Sequence, residues 1–466
     1  MQLSKGSLSI RESYGQAMAV TAPLGSVVST TTAAIAYAGK SVLFATLLAF
    51  LASLLWMFTL TKYTKKIASP GGYYTFGSAA WRSKTVAYYE AITEVIAYSS
   101  LNAVNSFSVY LLLKVTFQML NLELPDYVLP LSLVIGLIYP TLSSVILHIR
   151  KVLGYIVSIS ATLEVIFLYV LFGYAVATRG FDITYLSPVG TNFSSLGTAM
   201  VLTIVSIAGA GAAAYLGEET KKPTSTITTG IKIAYVVGGG AILAGTYALV
   251  ALWNEPIQTL SNSPQPLIQE LYPISFIVML ISLILSINSL LASNIGTTVG
   301  AARILFNLAR EKAMPKVFSR LNSEREPLIA TVVVGLISAI FAISSLTYTG
   351  SADVAFTEIS FISSLFWLAG RIVDNLGAPV FYWRLRELTP KILIVFLGST
   401  TINLVGMIGS LKAPDMFQAV YLISVLAAAT LWYIIKARKG IAGKYLVDEN
   451  NQLITMEEYF AKVRSR

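Results

Sequence analysis

Residues 206–223 read SIAGAGAAAYLGEETKKP. The stretch begins as an apolar helix, gathers glycine and alanine at Ala208, Gly209, Ala210 and Gly211, and ends in charge and proline. Glycine inside a helix costs about 1 kcal/mol relative to alanine, so the backbone is weakest where a bilayer-crossing segment would lie deepest. In hydrocarbon an unpaired N–H or C=O costs several kcal/mol, and irregular backbone persists only where it lines a cavity or is buried in protein. A counterpart stands near the start of the chain, where residues 17–39 read AMAVTAPLGSVVSTTTAAIAYAG. There Pro23 removes a backbone donor, and Gly25 lowers helix propensity beside Ser26.

Composition sets the surroundings of these two segments. The chain has 466 residues, 55% hydrophobic and 12% charged, with a mean hydropathy of +0.70, which implies an all-α polytopic membrane protein. A bilayer core needs about 20 apolar residues per helix, and about twelve such runs fall between Tyr14 and Ile435. Residues 1–13 are polar and do not read as a cleavable signal. The alternate connections are basic: Lys62, Lys65 and Lys66 follow the second run, Arg310, Lys312, Lys316, Arg320 and Arg325 the eighth, and Lys436, Arg438 and Lys439 the twelfth. The opposite connections, such as NLELPD and WNEPIQTLSNSPQP, are poor in base, so both termini are expected on the cytoplasmic side. The net charge of +10 is spent on these loops, and no basic patch interleaved with aromatics suggests nucleic acid. No cysteine and a single histidine, His148, exclude disulfides and the common zinc sites. No His-Glu zinc pattern, nucleophile elbow or P-loop occurs, so an enzyme or an ATP-driven pump is not expected. No cofactor, metal or obligatory protein partner is expected either. The tail after Lys439 is short and mixed in charge, and a second folded domain is not expected.

Interrupted helices at corresponding places in two halves are a pointer to a transporter's binding site. Each interruption alone also fits a small-residue packing face or a proline kink. The two together, five spans apart, favour paired breaks.

Three segments carry a resemblance. ASPGGYYTFGSAAW at 68–81, GEETKKPTSTITTGI at 217–231 and GAARILFNLAREKAMPKVFSRLNSEREPLIATV at 300–332 are similar to signature segments of the amino acid/polyamine/organocation (APC) superfamily of permeases. The likeness extends over nearly all of Ser9 to Ile435. It implies a LeuT-like fold with inverted repeats at 14–177 and 196–384, accessory helices at 390–436, and cytoplasmic ends at 1–13 and 437–466. It also implies a substrate site between the broken first and sixth spans. On this chain that site maps to Ala22, Pro23, Leu24, Gly25, Ser26 and Val27, and to Val205, Ile207, Ala208, Gly209, Ala210 and Gly211. Half-helix amides suit an α-carboxylate, and freed carbonyls suit an α-ammonium. The sixth span lacks the aromatic and the glutamate that many members place around its glycine. A roomy, neutral pocket favouring apolar or aromatic amino acids is therefore expected.

Charges inside spans are costly. Glu164, mid-span in SISATLEVIFLYVLFG, stands where proton-coupled relatives often place a lysine, and two readings are open: a proton carrier, or a protonated acid bonded to a neighbouring helix. Glu94 is the deeper of a pair four residues apart with Glu90 and is a candidate gate or second protonation site. Glu90 is expected to snorkel or pair with a basic loop. Arg371 and Asp374, three apart, are expected to pair with each other. Lys114, Glu358 and His148 are expected near solvent at span ends. Ser293 with Ala292 offers only half of a sodium-site pair, although Thr30, Thr31 and Thr32 keep sodium open. The resulting expectation is a secondary amino acid transporter of the cytoplasmic membrane, working by alternating access, with lipid around it and a proton ahead of sodium as coupling ion. An exchanger, a polyamine or organic cation permease, and a non-transporting amino acid sensor are the alternatives.

Overall fold

The computed structural model describes residues 3–146, 149–411, 416–448 and 451–464. His148 lies outside the described residues. Ser9 opens the first helix, α1 (Ile10–Thr21), with a capping box: its hydroxyl accepts from Arg11 N–H, and Glu12 accepts from Ser9 N–H at 2.7 Å. The helix stops at Ala22, whose φ of 39° lies in the left-handed region, a conformation costing about 1–2 kcal/mol outside glycine. Pro23 then opens α2 (Pro23–Ser26), using its fixed φ and its missing N–H at a first helical position. A π-helical turn over Val27–Thr31 leads into α3 (Thr32–Ala38). Gly39, with φ 52° and ψ −128°, ends α3. A 3₁₀ turn then passes the chain to α4 (Val42–Thr64).

The remaining helices follow in order. They are α5 (Tyr74–Trp81), α6 (Lys84–Met119), α7 (Val128–Ile146), α8 (Ile149–Lys151), α9 (Ser158–Arg179), α10 (Phe193–Ile207), α11 (Pro223–Ala234), α12 (Gly240–Leu252) and α13 (Pro266–Ile274). Beyond them come α14 (Phe276–Arg310), α15 (Leu328–Thr349), α16 (Ala352–Arg384), α17 (Pro390–Ser410) and α18 (Met416–Ile435). Short π-helical turns join α8 to α9 and α11 to α12.

Eleven continuous runs among the described residues are long and apolar enough to cross a membrane. The first, Ile10–Thr64, has 55 residues, whereas a crossing takes about 20. It therefore contains the material of the first two expected spans, divided at Gly39. The apolar side chains of the outer helices face away from the protein: Leu336, Ile340 and Ile343 on α15, and Ile423, Leu426 and Leu431 on α18, are all exposed. Such a surface is stable against acyl chains rather than water. The run Phe193–Leu216 is buried from Gly197 onward, and α6 is buried over most of its apolar stretch.

Inside, polar side chains bind helices together where small residues allow close approach. Asn294 on α14 accepts from Asn105 on α6 at 2.9 Å and donates to the Gly136 carbonyl of α7 at 2.7 Å. Thr297 donates to Asn102 at 2.5 Å.

The tail carries short elements of its own. Tyr445–Val447 (β1) pairs antiparallel with Leu453–Thr455 (β2), and α19 (Met456–Arg464) follows. This unit packs on the loops at one end of the bundle. Glu311, just past α14, accepts from the N–H groups of Gly443 at 2.9 Å, Lys444 at 2.8 Å and Tyr445 at 3.3 Å, and from Tyr74 hydroxyl at 3.1 Å. Mixed charge along the tail hides this docking, because its contacts are made largely by backbone amides.

Candidate functional site

The two weakened segments meet. A Cβ on Gly209 would fall 2.8 Å from the Val20 carbonyl, so the sixth span approaches the backbone of the first span two residues before its break. Only glycine permits that approach. Thr30 and Ser206 hydroxyls join the same two spans at 2.6 Å. Ser26 Oγ donates to Thr21 O at 2.6 Å, reaching back over the break to satisfy a carbonyl that the helix cannot. In the sixth span the backbone tightens into a 3₁₀ helix over Ala208–Leu216, far longer than the usual three or four residues. Val205 and Ile207 are buried at the end of α10, and Ala208 and Ala210 are buried in the 3₁₀ stretch.

Sequence reasoning leaves the amides after the first break free. In the structure they face partners: Gly25 N–H donates to Ser289 Oγ at 2.8 Å, and Leu24 N–H is turned toward the Glu164 carboxyl. Glu164 also accepts from Ser289 at 2.5 Å and from Ser160 at 3.1 Å, while Asn288 Nδ2 donates to Ser160 at 2.5 Å. A carboxylate from α9 thus sits at the start of α2, where a helix dipole and unpaired amides favour negative charge. Ser289, not Ser293, is the α14 hydroxyl at the break. Ser293 lies one turn further on, with its carbonyl accepting from Thr297 at 2.8 Å.

Glu94 lies in a second cluster. It accepts from Arg371 Nη2 at 2.5 Å and from Tyr215 hydroxyl at 3.1 Å. The expected Arg371–Asp374 contact is there but looser, at 3.6 Å. Sequence spacing shows only the neighbour one helical turn away, whereas Glu94 comes from another helix. Arg371 is fully buried, with its guanidinium 3.6 Å from the centre of the Tyr73 ring, a cation–π geometry. Glu90 corrects its expectation: it is 2% exposed rather than snorkelled, because Gly77 of α5 packs directly over its carboxyl. Lys114 pairs with Asp353 at 2.7 Å, and Glu358 accepts from Gln418 at 2.8 Å, both near helix ends.

A third set, which sequence reasoning did not single out, joins two of the resemblance segments. Arg303 donates to Glu219 through Nε at 2.6 Å and Nη2 at 2.8 Å, and to Glu326 at 3.0 Å. Leu8 N–H donates to Glu219 O at 2.9 Å, and Lys221 N–H to Leu8 O at 2.8 Å, so the N-terminal segment lies along the chain that leaves the sixth span. The signal lay in those two quoted segments: 217–231 supplies Glu219, and 300–332 supplies both Arg303 and Glu326.

Lipid-facing apolar helices around an interior of broken backbone and paired charge define a multi-pass membrane protein. The sequence profile of the family described as amino acid permease matches residues 14–378, and the chain belongs to that family. It is also similar to an uncharacterized amino acid permease, YvbW, of Bacillus subtilis (strain 168), with 26% identity over 259 residues. Those residues are 52% of this chain and 54% of that protein, so the likeness spans about half of the curated relative.

Proposed function

We propose that the protein is a secondary transporter carrying amino acids across the cytoplasmic membrane by alternating access, with protons as the coupling ion. The observation that supports it best is the Glu164 carboxyl bound to Ser289, whose hydroxyl also accepts from Gly25 N–H at the break of the first span. An α-carboxylate needs the same kind of donors. Substrate and Glu164 would then compete for the α2 amides, and a proton on Glu164 weakens its claim by removing the charge that the amides attract. Substrate entry and proton uptake are thereby linked through one set of donors.

The fold proposed for this cycle has inverted repeats at 14–177 and 196–384, accessory helices at 390–436, and both termini cytoplasmic. The substrate would lie among Ala22, Pro23, Leu24, Gly25, Ser26 and Val27 on one side and Val205, Ile207, Ala208, Gly209, Ala210 and Gly211 on the other. The side chains of these segments are small or apolar, which supports neutral, apolar or aromatic amino acids over arginine or polyamines. Ser293 would serve sodium only if a second hydroxyl joined it.

A second reading has Glu164 as static glue, and its two hydroxyl donors, Ser160 and Ser289, favour it. The two separate in proteoliposomes with pH and sodium gradients imposed independently. Under the carrier reading Glu164→Gln abolishes pH-driven accumulation while amino acid exchange persists. Full pH-driven accumulation by that variant would overturn the carrier role.

A further inference from the structure

The Arg371 cluster holds more acid than base. Glu90, Glu94 and Asp374 surround a single guanidinium, and all four side chains are buried. Glu94 takes the strong contact with Arg371. Glu90 and Asp374 are left facing each other, with Glu90 Cγ 3.9 Å from where a Cβ on Gly370, one turn before Asp374, would lie. Among the described residues neither carboxyl has an N–H or O–H donor within hydrogen-bond distance. Arg371 Nη1 stops 3.6 Å short of Asp374, and Tyr63 hydroxyl reaches the Asp374 backbone carbonyl, at 3.0 Å, rather than its side chain.

An ionised carboxylate only accepts hydrogen bonds, and two like charges in a dry site cannot both persist. One proton between them turns a repulsion into a charge-assisted hydrogen bond. Gly77 contributes the space: a Cβ there would come 1.9 Å from Glu90 Oε2. The other titratable groups turned toward this place are Tyr63 of α4, Tyr73 before α5, Tyr98 of α6 and Tyr215 of the 3₁₀ stretch.

We infer that Glu90 and Asp374 share one proton and form a proton-binding site separate from Glu164. The site touches the sixth span by two routes. Arg371 binds Glu94, and Glu94 accepts from Tyr215 at 3.1 Å. Arg371 also stacks on Tyr73, whose hydroxyl lies where a Cβ on Gly211 would be, 2.2 Å away. Loss of the proton would leave Asp374 and Glu94 competing for Arg371, which loosens Tyr215 and Tyr73 from the 3₁₀ stretch. That last consequence rests on the transporter reading; the shared proton does not.

Infrared difference spectroscopy of the purified full-length protein at neutral pH tests the site. A carboxylic acid C=O band, shifted by D₂O, is expected in the wild type and is lost in both Glu90→Gln and Asp374→Asn, because each amide supplies the donor that the proton supplied. Gly77→Ala keeps both carboxyls but pushes them apart, and the band must move in frequency. If the two amide variants fold, as judged by their thermal unfolding, and keep every acid band of the wild type, or if the band ignores Gly77→Ala, no proton is shared there. A band present in a protein that moves no amino acid would sink the transporter reading alone. Transport without the band would sink only this site.

Discussion

The Glu164 carboxyl on α9 accepts a 2.5 Å hydrogen bond from the hydroxyl of Ser289 on α14. Ser289 in turn accepts from Gly25 N–H at 2.8 Å, so a single hydroxyl stands between an intramembrane acid and the broken first span. Ser289→Ala removes both contacts and orphans a buried amide. A loss of about 1–3 kcal/mol is expected, read as a lower thermal unfolding midpoint in detergent. An unchanged midpoint together with an unchanged pH profile of uptake would mean that the hydroxyl is incidental.

Gly209→Ala places a methyl 2.8 Å from the Val20 backbone, where no flexible side chain can give way. Overpacking of this kind costs about 1–3 kcal/mol, and uptake should fall by more than the drop in stability accounts for, since the two breaks are forced apart. Gly173 in α9, where an added Cβ would meet nothing within 4 Å, is the control: Gly173→Ala should leave uptake unchanged and stability no lower, since alanine favours the helix.

Arg303 is the cation shared by two buried carboxyls, Glu219 and Glu326. Arg303→Met leaves both uncompensated, and a loss of about 3–5 kcal/mol is expected. Arg303→Lys should recover little, because an ammonium cannot reproduce the two-pronged contact with Glu219. Adding Glu219→Gln and Glu326→Gln to Arg303→Met should recover much of the loss by removing the stranded charges. Thermal unfolding of the four proteins decides the matter.

Burial pushes the Glu311 carboxyl up to about 7, against the opposing pull of the tail amides. The docked tail therefore holds a proton that an exposed glutamate, with an ordinary value of 4.5, would release. Across that window each pH unit weakens docking by up to about 1.4 kcal/mol, and the loss saturates above about 7. Hydrogen exchange at Gly443, Lys444 and Tyr445, corrected for intrinsic rates, should be faster at pH 8 than at pH 6. Glu311→Gln should flatten that dependence.

The membrane class and the helical runs were legible because period and length in a bilayer are set by local sequence. Pro23 and Gly25 marked the first break, since a missing donor and a missing side chain act on the spot. That the break contracts to Ala22, and that the sixth span tightens into 3₁₀ helix as far as Leu216, depends on how closely the two spans pack, which no local pattern encodes. Ser289, one turn before Ser293, went unnoticed for a similar reason: depth along a long helix is fixed by its neighbours. Asp374 was visible as a partner of Arg371 three residues away, but Glu94, 277 residues distant, was not. Glu90 looked solvated because it lies near the start of a span, and only the fold of α5 over it reveals otherwise.

Uptake of labelled neutral amino acids into proteoliposomes, with an inward pH gradient and no sodium, tests the central claim most directly. Accumulation above equilibrium is expected in the wild type, collapsing on addition of a protonophore, competed by apolar or aromatic amino acids, and absent in Glu164→Gln. Arginine or polyamines as the best competitors, or accumulation that follows sodium and ignores pH, would contradict the account.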